Sequence, residues 1–86
     1  MFTSFSVTGC SLELLRTGER GIVTFCKTQN KTILKKLISM GIVTGTHITL
    51  KQHFPSLIIN IENIDFVLDL ESVQAIYVRI IDNSIN

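Results

Sequence analysis

The sequence predicts a small, mainly β domain: an antiparallel barrel of about five short strands with one helix closing an end. Three observations predict it. The chain has 86 residues, enough for one domain and not two. Its hydrophobic content, 45% of residues, is mostly Ile, Leu and Val, and such β-branched richness favours strands. Strand-like runs follow one another at spacings too short for the crossovers that parallel strands need, and only one stretch has helical periodicity.

Residues 1–9 read as an extended lead-in. In "CSLELLRTGERG", Leu12 and Leu15 precede a polar turn ending at Gly21, and Ser11 can cap a short helical turn. "IVTFCKT" reads as a strand, with Val23 and Phe25 on one face and Ile22, Thr24 and Cys26 on the other. "NKTILKKLISMG" reads as a helix. Asn30 caps its start, and Gly41 stands where a left-handed C-terminal residue is wanted. At about 100° per residue, Ile33, Leu34, Leu37, Ile38 and Met40 share one broad arc, and Lys31, Lys35, Lys36 and Ser39 fill the other side.

Gly41 lets the chain reverse out of the helix, and Gly45 lets it turn again into the next strand. That strand, "THITLKQHF", alternates, with Ile48 and Leu50 inward and His47, Thr49 and Lys51 outward. Pro55 marks a loop. "LIINI" and "IDFVLDL" read as strands joined by Glu62–Asn63, a two-residue hairpin. "VQAIYVRII" is the last strand, with Ile76 and Val78 on one face, and residues 82–86 form a frayed tail. Residues 1–86 thus read as one domain with its core within 10–81.

The formal net charge is +1, but it is unevenly spread. Through Lys51 there are seven Lys and Arg and two acids; from Gln52 onward there are one Arg and five acids. The start, "MFTSFSVTG", lacks the basic and apolar regions of a secretory signal. No apolar run reaches the roughly 18–20 residues of a membrane span. Cys10 and Cys26 lack CxxC spacing, so a reducing, cytoplasmic setting without membrane insertion is expected.

Candidate chemistry is sparse. His47 and His53, on the outer face of one strand, would stand roughly 20 Å apart, too far to share a metal ion. Cys10 and Cys26 read as small hydrophobes. Asp65 and Asp69 would lie about 13 Å apart on the outer face of one strand, with no nucleophile or base beside them. No Ser/His/Asp set or glycine-rich phosphate loop is visible, so neither catalysis nor a cofactor nor a bound metal is expected. Lys27, Lys31, Lys35 and Lys36 are either the wet side of an amphipathic helix or a basic patch for an acidic protein surface. Nucleic acid is not expected, because the net charge is near neutral and no exposed aromatics interleave with the lysines.

In sequence order, "LELLRTGERGIV", "LKKLISMGIVTGTHITL", "FP" at 54–55 and "FVLDLESVQAIYV" resemble the signposts of the FeoA family, ferrous iron transport protein A. The resemblance runs from residue 12 to residue 78. The chain departs from the family pattern in having Lys36 for Arg, Thr44 for Pro, "PS" in the proline loop, Asp69 for a frequent basic residue and Val73 for Ala.

The resemblance implies an SH3-like β-barrel. It implies a small cytoplasmic, non-enzymatic protein acting on a membrane ferrous-iron permease with a cytosolic GTP-binding domain. The same module looks like the C-terminal domain of some iron-dependent repressors. A detached regulatory domain that binds a repressor or peptide is therefore the alternative, and a nucleic-acid-binding small barrel a third. The expected partner-binding surface is the end of the helix and the turn beyond it: Lys35, Lys36, Ser39, Met40, Gly41, Ile42, Thr44 and Gly45. An apolar knob beside a basic stripe is a fair docking surface.

Overall fold

A computed structural model describes residues 9–81. The expected lead-in, apart from Gly9, and the expected tail lie outside the described residues. Nine elements follow in order: β1 (Cys10–Ser11), a 3-10 turn (Leu12–Leu14), β2 (Arg20–Cys26), α1 (Lys31–Ser39), β3 (His47–Gln52), β4 (Leu57–Ile61), β5 (Ile64–Leu68), α2 (Leu70–Ala75) and β6 (Ile76–Ile81). The six strands make one sheet in the order β1-β6-β2-β3-β4-β5, and every neighbouring pair is antiparallel.

The local signals behave as their chemistry requires. The Ser11 hydroxyl accepts from the Glu13 amide at the start of the 3-10 turn. Asn30 Oδ1 accepts from the amides of Thr32 and Ile33, satisfying two free donors at the start of α1. Glu62 and Asn63 both have positive φ, 51° and 70°, the backbone of a tight two-residue hairpin. The core draws on every layer. Val23, Ile48, Leu50, Ile59, Ile76 and Val78 come from strands, Ile33 and Leu37 from α1, and Leu12 and Leu15 from the first turn; all are buried.

Four expectations need correction. First, β2 changes phase at a bulge: Val23 pairs with Val78, but the next partners are Phe25 with Tyr77. The extra residue turns Phe25 outward, leaving it 45% exposed, and turns Cys26 against the core. Second, Ile38 lies at the edge of the apolar arc and is 54% exposed. Third, the stretch after β5 is not strand. Asp69 caps α2, its Oδ1 accepting from the Ser72 amide at 2.9 Å, so Val73, Gln74 and Ala75 are helical and β6 begins only at Ile76. Asp69 therefore does not share a strand face with Asp65. Fourth, His53 lies one residue past β3, and its Nε2 is 3.1 Å from the Glu13 carbonyl oxygen.

Candidate docking surface

The turn from α1 to β3 projects into solvent but is fixed throughout. The Gly41 amide donates to Ile38 O and the Ile42 amide to Leu37 O, each at 2.9 Å. With Gly41 at φ +84°, this is a Schellman close of the helix. Ile42 and Leu37 are both buried, the apolar contact that accompanies such a close. Ile42, expected on the partner-facing surface, is thus the anchor beneath it.

Beyond Ile42, Thr46 Oγ1 donates to Gly41 O at 2.8 Å and accepts from the Val43 amide at 3.2 Å. Gly45, at φ +94°, donates to Val23 O at 2.8 Å, and Thr44 Oγ1 donates to Thr24 O at 3.2 Å. Val43, Thr44 and Gly45 are exposed.

The last two bonds hold the turn against the bulge of β2. Beside that bulge, Phe25 and Tyr77 stack with ring centroids 4.7 Å apart and planes 8° from parallel. Strand alternation placed Phe25 on the same face as Val23, which is buried, so this pair was missed, and Thr24 carries no signature of the bulge that decides it. On another side, a groove of about 860 Å³ is lined by Met40, Gly41, Thr44 and Gly45 together with Ile64 and Phe66 of the β4–β5 hairpin. Four of the expected surface residues therefore share one groove. Ser39, also expected there, is exposed, and its hydroxyl donates back to Lys36 O at 2.7 Å.

The lysines do not form one uniform stripe. Lys36 Nζ lies 3.4 Å from Asp69 Oδ2, which ties α1 to the start of α2. Lys35 is exposed and makes no ion pair among the described residues. Hydrogen bonding from Ser72, and then the charge of Lys36, hold the Asp69 carboxyl below the ordinary carboxylate range. Burial pushes both thiols up, Cys26 by burial alone and Cys10 by burial and then the charge of Glu19. Among the described residues, no group of three or more His, Cys, Asp and Glu is placed to hold a metal ion, and no helix is long and apolar enough to cross a membrane.

The FeoA domain family model matches residues 10–80. The chain belongs to the FeoA family.

A candidate Fe(2+) transport protein A of Leptolyngbya boryana is 33% identical over 79 residues, covering 91% of this chain and 96% of that protein. Among solved structures, Stenotrophomonas maltophilia FeoA, complexed with zinc and described as a procaryotic SH3 domain protein, superposes with a TM-score of 0.72 at 18% identity, over 81% of this chain and 89% of its own. The SH3-like fold expected from the resemblance is therefore the one observed. A manganese-dependent transcriptional repressor superposes with a TM-score of 0.77 at 20% identity, over 88% of this chain but only 38% of the repressor. At these identities the likeness is one of fold. Lys36 and Asp69, both read from the sequence as departures from the family pattern, are in contact with each other.

Proposed function

We propose that this FeoA protein is an accessory of ferrous iron uptake that docks on the cytosolic GTP-binding domain of a membrane ferrous-iron permease. Its role is binding, not catalysis, and its site of action is the cytoplasm. Membership of a ferrous iron transport family supports the pathway.

The observation that carries the docking surface is the fixed, exposed turn at Val43–Gly45. Ordering side chains and loops on association costs roughly 0.5–1.5 kcal/mol per immobilised group, and a turn already held by hydrogen bonds avoids much of that. Val43 and the Phe25–Tyr77 pair supply apolar area around it, and Lys35, exposed on α1, supplies positive charge on the helix that leads into it. This is an apolar centre with a polar rim.

Capture from solubilised native membranes tests the reading. The unmodified chain retains the permease, and Val43→Asp, which alters an exposed side chain only, loses it while melting normally. Equal retention by both chains, or no permease with either, contradicts the proposal.

A further inference from the structure

We propose that the free edge of β5 pairs with β5 of a second copy of this chain, forming a concentration-dependent two-fold dimer. Among the described residues, β5 ends the strand order and is bonded to β4 alone. The hairpin closes through two residues, so Ile61 and Ile64 are a hydrogen-bonded pair and the pattern alternates from there. Ile64, Phe66 and Leu68 therefore aim their backbone groups at β4. Asp65 and Val67 aim theirs at the free edge, where neither backbone meets another partner among the described residues.

Two edge-facing residues separated by one give a self-complementary register. A two-fold axis at Phe66 sets Asp65 opposite Val67 of the second copy, and Val67 opposite its Asp65. Each pair then exchanges both of its N–H···O=C bonds.

Nothing on this edge resists pairing. Native edges are usually blunted by lysine, proline or an inward charge. β5 has neither lysine nor proline. Its one charge, Asp65, is occupied on its own sheet by Asn60 at 2.7 Å and Lys51 at 4.0 Å. In the two-fold register Asp65 meets Val67 and not another acid, so no like charges stand opposed.

Ile64, 57% exposed, falls opposite Leu68 of the second copy, which is buried in its own core but lies beside exposed Leu70 and half-buried Leu57 in the lining of a cavity of about 650 Å³. Val67 is itself 65% exposed. A five-residue strand edge buries less than the roughly 1,200 Å² of stable complexes, so the dimer exchanges with monomer.

Sedimentation equilibrium on the full chain, up to about 1 mM, tests this together with amide hydrogen exchange. The expected result is a monomer–dimer equilibrium in which the Asp65 and Val67 amides gain protection as concentration rises. Val67→Pro removes the edge-facing donor without breaking a bond to β4. Val67→Lys keeps the backbone and charges the edge. Each substitution should raise the dimer dissociation constant at least about tenfold. A chain that stays monomeric over the whole range overturns the proposal. So does a dimer indifferent to both substitutions, or one whose added protection falls on another element.

Discussion

Lys36 Nζ and Asp69 Oδ2 lie 3.4 Å apart, joining the last turn of α1 to the N-cap of α2 across 33 positions of sequence. Both side chains are largely solvent-exposed, so the ion pair alone adds little. Asp69 matters more as the cap of α2. Asp69→Ala should lower stability by about 1 kcal/mol, whereas Asp69→Asn, which can still cap, should cost less. Thermal melting of the two variants checks this, and equal losses would assign the effect to the ion pair.

The same residue sets a pH dependence. The folded Asp69 carboxyl sits below its ordinary value. Its contribution is therefore present above the ordinary carboxylate range, and is lost as pH falls through the folded value. The acid limb of a stability–pH curve should be shallower in Asp69→Asn than in the unmodified chain. Superimposable limbs would show that Asp69 gains nothing from Ser72 and Lys36.

Gly41 tests the Schellman close. A Cβ there would meet nothing within 4 Å, so the cost of Gly41→Val is conformational and not steric. At φ +84° that cost is about 1–2 kcal/mol for a residue with a Cβ. For a domain of this size it means a fall in Tm of roughly 4–16 °C. Gly41→Asn should cost less, because Asn tolerates this backbone. A melt unchanged by valine would contradict the helix end described above.

Burial keeps both cysteines in the thiol form at neutral pH, since each pKa is raised. Both should therefore be alkylated more slowly in the folded chain than in denaturant at the same pH. Equal rates in the two states would contradict the packing of Cys10 and Cys26 against the core.

Most of the fold was legible because local chemistry and tertiary packing agree. Asn30 and Gly41 bound α1, Glu62–Asn63 turns the hairpin, and Ile48 and Leu50 alternate inward. The failures come from departures in backbone register that side chains do not announce. A bulge at Thr24 moves Phe25 out and Cys26 in, because one inserted residue reverses a period of two. α2 has only six residues, too few for helical periodicity to separate it from the strands on either side. Its capping pattern, Asp69 followed by Glu71 and Ser72, was the available signal. At the candidate surface the turn was visible from its glycines. Its lining by Phe25 and Tyr77 required the bulge, and the engagement of Lys36 required α2.

The most direct test of the docking account is association kinetics with the isolated cytosolic domain of the permease, at two salt concentrations, for the unmodified chain, Lys35→Glu and Lys36→Glu. Exposed charges steer encounter, and salt screens them. Lys35 has no ion-pair partner among the described residues, whereas Lys36 is occupied by Asp69. The account predicts that the unmodified association rate falls with salt, and that Lys35→Glu slows it more than Lys36→Glu. Rates that are equal for all three chains and insensitive to salt would contradict it.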